Sequence, residues 1–147
     1  MAFEILAAEY ELILKLFLSV VLGMLVGFER ELKRKPAGMR THSFVCLGAT
    51  LFTIISIYIS GSGQADISRI AAGVVTGIGF LGAGVIFKSE DRVRGVTTAA
   101  ELWVMAAIGL AIGVGYYFAA VLTAFIVLIV LVPLKYVEGK AKENLEI

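Results

Sequence analysis

The sequence has 147 residues, a net charge of +1, 59% apolar residues and a further 16 glycines. An average soluble domain reaches about 45–50% apolar with glycine included, and a soluble chain this short has too little interior to hide so much apolar surface. That leaves an integral membrane protein: the single cysteine excludes a disulfide scaffold, long apolar runs exclude disorder, and the near-neutral charge gives no sign of a nucleic-acid partner.

A helical span needs about 20 mostly apolar residues. The first candidate is Leu12–Phe28, interrupted by Lys15, which has Glu11 four residues before it on the same helix face. Snorkelling of Lys15 to the interface is favoured for this position over a transport role. The second candidate is Thr41–Tyr58 and the third is Ile70–Phe87, which carries no charge. Asp66 and Arg69 stand just before the third and are expected to pair locally. After Glu101 comes the uncharged stretch Leu102–Leu134. At about 1.5 Å per residue it is roughly 50 Å long, too long for one crossing of a core of about 30 Å. The break falls at Gly113-Val114-Gly115, before the interfacial pair Tyr116-Tyr117. Leu102–Ile112 is then too short to cross alone, so the fourth helix must recruit Thr97–Glu101, which places Glu101 at or inside the membrane boundary.

The expected fold is thus an all-α bundle of about five transmembrane helices over residues 1–134, with a short tail at 135–147. Eleven of the 13 basic residues fall in Glu29–Arg40, Lys88–Gly95 and the tail, and a five-span path puts all three on one side. The positive-inside rule makes that side cytoplasmic, with the N-terminus outside and the C-terminus inside. Residues 1–11 carry three acids and neither arginine nor lysine, which is no signal-peptide start. The first span is expected to be a retained anchor. Gly38-Met39-Arg40-Thr41 and Gly95-Val96-Thr97-Thr98 each open a helix after a basic loop. Two repeated helical hairpins plus a fifth helix would explain this, and so would chance similarity of two turns.

Glycines mark helix packing. They are Gly23 and Gly27 in the first span, Gly73, Gly77, Gly79, Gly82 and Gly84 in the third, and Gly109 and Gly113 in the fourth. Gly23/Gly27, Gly73/Gly77 and Gly109/Gly113 have the four-residue spacing that lets helices approach closely. They serve packing within the chain, or a homo-oligomer, with a dimer through Gly77 or Gly109 as the favoured form. Gly77-x-Gly79-x-x-Gly82 also matches the dinucleotide fingerprint, but it lies inside a span and lacks the βαβ setting that the fingerprint needs. No catalytic motif occurs, and Cys46 reads as a packing residue. The polar feature of the chain is a girdle at one depth: Glu29 and Arg30, then Arg40, Thr41 and His42, then Thr97, Thr98 and Glu101. It is either interfacial anchoring or a cytoplasm-facing polar pocket. Glu101 has two readings. Thr98-Ala99-Ala100-Glu101 has capping-box spacing, while an earlier helix start near Gly95 would turn Glu101 inward to Arg30 or Arg40.

Glu29-Arg30, Ala37-Gly38-Met39-Arg40-Thr41-His42, Gly77-Ile78-Gly79-Phe80-Leu81-Gly82-Ala83-Gly84, then Gly95-Val96-Thr97-Thr98-Ala99-Ala100 and Trp103 together resemble the MgtC/SapB family, in that family's order and spacing over roughly Leu12–Leu134. The resemblance implies a polytopic inner-membrane domain linked to growth in low magnesium and to intracellular survival of pathogens. Members were first labelled magnesium transporters, and regulatory roles towards other membrane complexes are also attributed to them. Glu101 departs from the uncharged residue this pattern implies. Many relatives carry a C-terminal cytoplasmic regulatory domain, which is not expected in a chain ending at Ile147. Two functions follow. A regulator would bind another membrane protein laterally. A transporter or channel would move Mg²⁺ or another cation, yet the second, third and fifth spans lack the carboxylates such an ion favours. The regulator is favoured, no cofactor is expected beyond a Mg²⁺ that the residues leave open, and an enzyme is not.

Overall fold

The computed structural model describes residues 2–61, 66–89 and 92–132. Five helices follow one another: α1 Ala2–Leu32, α2 Met39–Ser60, α3 Ile67–Val85, α4 Val96–Gly113 and α5 Tyr117–Leu131. The first four are long and apolar enough to cross a membrane, and α5 is a shorter apolar helix of 15 residues, about 22 Å at the helical rise. The chain is a multi-pass membrane protein. The expected end of the fifth span at Leu134 and the whole of the 135–147 tail lie outside the described residues, as does the middle of the Ser60–Ser68 loop.

Most helices extend a few residues beyond the expected apolar runs, α2 by two at each end and α3 by three at its start. α1 starts ten residues earlier than the apolar run, because Glu4, Glu9 and Glu11 do not interrupt a helix that continues past the membrane edge. α3 stops at Val85 instead of Phe87, since Ile86 is extended. Phe87–Ser89 (β1) then pairs antiparallel with Arg92–Arg94 (β2), with Phe87 opposite Arg94. This short ribbon replaces the expected plain loop. The ribbon leads into Gly95 at φ +89°, where a Cβ would collide with the Val85 carbonyl, so only glycine lets the chain turn into α4. The break between α4 and α5 is where the sequence puts it: α4 ends at Gly113, Gly115 is left-handed at φ +85°, and Tyr116 precedes α5.

α2 is the central helix, held between α1 and α4. Cβ atoms built on Gly23 and Gly27 would stand 2.5 Å from the Cα atoms of Ser43 and Met39. On the other face, one on Gly109 would stand 2.7 Å from Ala49 Cβ, and one on Gly113 2.7 Å from Thr53 Cγ2. Both helix pairs thus pack at backbone distance, the close approach that stands in for hydrophobic drive in lipid. The buried Thr50 hydroxyl lies 3.0 Å from the Gly109 carbonyl across the α2–α4 seam and 2.9 Å from Cys46 O. The core is built on Val26, Cys46, Met105, Ile108 and Ile112, with Ala120 and Ala124 bringing α5 against it.

α3 is held differently. Gly82 meets Ala99 of α4 at an ordinary 3.5 Å, while Cβ atoms on Gly73, Gly77, Gly79 and Gly84 would meet nothing within 4 Å. Those four glycines therefore bring no other helix to backbone distance, so the within-chain packing expected of them is not what they do: Gly73 and Gly77 line an open groove beside α2, and Gly79 and Gly84 face open space. Trp103 is likewise 51% exposed and packs no core, because its position on α4 points outward while Leu102 and Met105 point in.

Candidate functional site

The polar girdle becomes a buried ionic cluster where the C-terminal end of α1 meets the first turns of α2 and α4. Arg30 is its hub. Arg30 Nε stands 2.7 Å from Glu101 Oε2, Nη1 is 3.5 Å from Glu29 Oε2, and Nη2 donates to Thr98 Oγ1 at 3.3 Å. The Arg30 and Glu101 side chains are 5% and 6% exposed. Glu29 is also paired with Lys33, one turn on along α1, and Lys33 Nζ donates to the Leu131 carbonyl at the end of α5. Four helices thus converge on one group of charges. An unpaired charge is expensive in a membrane interior, about 2.5–3.5 kcal/mol on insertion scales at a helix centre, and the pairing offsets that cost.

Local chain geometry puts Glu101 there. Gly95 is the N-cap of α4 and Val96 its first residue, so Thr98 is already inside the helix. The capping box does not form. The early start lets α4 cross, and it brings Thr98 and Glu101, three residues apart, onto one inward face. Of the two arginines, Arg30 is the partner. Arg40 is exposed and has no ion pair among the described residues.

His42 is fully buried in the first turn of α2. Its Nδ1 lies 2.9 Å from the Gly38 carbonyl, an acceptor only, so Nδ1 carries the hydrogen. Nε2 then faces Glu101 Oε2 at 3.7 Å, outside hydrogen-bond reach. Glu101 Oε1 has no hydrogen-bond partner among the described residues. Of the expected cluster, Glu29, Arg30, His42, Thr98 and Glu101 come together. Arg40 and Thr97 point away, and Thr41 is half-buried, lining a different feature. Lys33 and Glu31 were not expected. Lys33 was signalled by the four-residue spacing from Glu29, whereas Glu31, whose carboxylate accepts from the Met39 N–H at 3.1 Å and so caps α2, left no periodic signal.

Towards the opposite end, Lys15 Nζ pairs with Glu11 at 2.9 Å, and the Tyr117 hydroxyl donates to the same carboxylate. Asp66 does not pair with Arg69 as expected. Its carboxylate accepts from the Ser68 N–H at 2.9 Å and caps α3, and that hydrogen bond holds the carboxyl below its ordinary range. Among the described residues no three His, Cys, Asp or Glu side chains group as metal ligands. A cavity among the described residues lies elsewhere, an apolar groove of about 800 Å³ between α2 and α3 that reaches Ala106 of α4.

Comparison with known proteins gives the same lineage as the motifs. The MgtC family model matches residues 16–140. Protein MgtC of Brucella abortus is 47% identical over 110 residues, covering 74% of this chain and 45% of the relative. An uncharacterized protein of Haemophilus influenzae is 44% identical over 123 residues, 78% of this chain and 52% of its own length. Escherichia coli K12 YhiD, whose name proposes magnesium transport, is 42% identical over 131 residues, 82% of this chain and 59% of its own. The chain therefore spans about half the length of the curated relatives it matches. No solved structure matches it. Helix pairs packed at Gly23/Gly27 and Gly109/Gly113, with the Glu29-Arg30 and Gly38–His42 segments meeting at one buried cluster, are the setting in which the family match falls, and the chain belongs to the MgtC family.

Proposed function

We propose that this chain is an inner-membrane domain that binds and regulates another membrane protein during adaptation to low magnesium. The carrying observation is the state of its charges. Glu29, Glu101, Arg30 and Lys33 neutralise one another inside the bundle, and the large groove is apolar. A cation pathway needs carboxylates or carbonyls facing water, whereas a lateral binder needs apolar helix faces such as α3 presents. The names MgtC and YhiD among the relatives supply the link to magnesium.

The orientation follows the same logic. Arg30 contacts Thr98, and Lys33 contacts the end of α5, so the basic α1–α2 turn and the start of α4 share one end of the bundle. The positive-inside rule assigns that end to the cytoplasm and the N-terminus to the outside. The test is flux and capture together. In proteoliposomes holding a Mg²⁺ indicator, with an ionophore as positive control, the protein should add no flux over lipid alone. Crosslinking in membranes from magnesium-limited cells should return a membrane protein in fixed stoichiometry. Protein-dependent Mg²⁺ flux would overturn the reading.

A further inference from the structure

The groove between α2 and α3 has a floor of Gly48, Gly73 and Gly77 and carries Arg69 at one end. Phe44 and Phe52, 71% and 55% exposed, stand along it. From Arg69 to Leu81, which also lines it, is about 18 Å along α3, slightly more than half of a hydrocarbon core of about 30 Å. Its depth therefore suits one leaflet. A hydrocarbon chain is narrow enough to enter the groove, and the missing side chains at Gly48, Gly73 and Gly77 let it lie against backbone.

Arg69 supplies the polar end. It sits in the first turn of α3, is exposed, and has no ion pair among the described residues, Asp66 being engaged with the Ser68 N–H. A guanidinium at the head of an apolar slot is complementary to a phosphate attached to a chain. We propose that this groove is a binding site for a bilayer phospholipid, with an acyl chain lying on the glycine floor and the phosphate on Arg69. The site goes beyond the regulatory reading and stands without it.

Phosphatidylglycerol is the probe, and native mass spectrometry of the full chain released from detergent is the readout. Wild type should retain one lipid. Gly73→Leu with Gly77→Leu should lower retention at least about tenfold, because two leucine side chains occupy the space of several buried methylenes. Neither new Cβ meets an atom within 4 Å, so the variant should fold, as circular dichroism will verify. Gly84→Leu, on the same helix but outside the groove, should retain lipid as wild type does. Arg69→Gln should lower phosphatidylglycerol retention about threefold, the scale of an exposed ion pair, and leave neutral diacylglycerol unaffected. Undiminished retention in the double leucine variant, or equal loss in Gly84→Leu, would overturn the site. A wild-type dimer that the double variant splits with no change in lipid would give the groove to a second copy and also overturn it. Retention of phosphatidylglycerol by Arg69→Gln at the wild-type level would remove the phosphate contact.

Discussion

α3 and the α1–α2–α4 core use the same residue type at the same spacing to opposite ends. Gly23/Gly27 and Gly109/Gly113 bring backbones into contact on both sides of α2, whereas Gly73/Gly77 leave a slot that no other helix fills. The core also carries the buried ions, and α3 carries none. Four-residue glycine spacing therefore says that a helix face is low, not that another helix lies on it. What lies there depends on where α2 points: its α1 and α4 flanks are covered, and its α3 flank, with Phe44, Gly48 and Phe52, is left open. The core is accordingly the closely packed part of the bundle, and α3 is its open side.

The sharpest test of that contrast is charge. Glu101→Gln leaves Arg30 buried with only Glu29 beside it, and breaking a buried pair costs about 3–5 kcal/mol. Unfolding in a mixed-detergent titration should report a loss of that size. Arg30→Gln and Glu101→Gln should be coupled by about 0.5–3 kcal/mol. Arg40→Gln should be additive with Glu101→Gln, since Arg40 is exposed and has no ion pair among the described residues. Coupling through Arg40 as strong as through Arg30 would mean that the core is wired differently.

Glycine substitution breaks the comparison next. Gly109→Leu drives a side chain into Ala49 and the Cys46 carbonyl, so it should cost about 1–3 kcal/mol or more in the same titration. Gly77→Leu enters open space and should stay within about 0.5 kcal/mol of wild type. Equal costs would erase the distinction between the two regions. Threonine gives a milder version. Thr50→Val removes a hydroxyl that reaches Gly109 O across a buried seam, and such bonds average about 0.6 kcal/mol in a membrane bundle. Thr76→Val on α3 removes one that reaches only Ala72 of its own helix and should be neutral.

Much of the core was legible because it rests on length. Leu102–Leu134 is too long for one span and Leu102–Ile112 too short, so α4 had to begin before Glu101, and α4 does begin at Val96. That early start is also what disallows the cap at Thr98 and turns Glu101 inward. The choice of Arg30 over Arg40 was not legible. It depends on the rotation of α2 about its axis, which tight packing against Gly23 and Gly27 fixes and no spacing encodes. The open glycines of α3 were illegible for the same reason, since a missing neighbour leaves no mark on the helix that lacks it. The β1–β2 ribbon was hidden because Phe87 and Val93 offer too few alternating residues to show a period of two.

The smallest effect belongs to the start of α3, and it separates a cap from an ion pair. If Asp66 served mainly to neutralise Arg69, then Arg69→Gln and Asp66→Asn would alter α3 alike. The carboxylate instead accepts from the Ser68 N–H, an orphan donor of the first turn. That bond keeps the folded-state carboxyl below its ordinary value of 3.8. Because the shift is downward on folding, the stabilisation is fully present above that ordinary value and is lost as pH falls through the lower folded-state value. Neutral-pH behaviour should therefore be unaffected by small pH changes, and fraying of α3 should set in only below about pH 4. Hydrogen exchange at the Ser68 amide, compared between variants at matched pH, reads this directly. Asp66→Ala should speed exchange at pH 7. Asp66→Asn, which can still cap, should slow it back towards wild type and remove the additional acid-side loss. Arg69→Gln should leave it unchanged. An Arg69→Gln effect equal to that of Asp66→Ala would restore the ion pair as what holds α3 at its start, and would take Arg69 away from any ligand in the neighbouring groove.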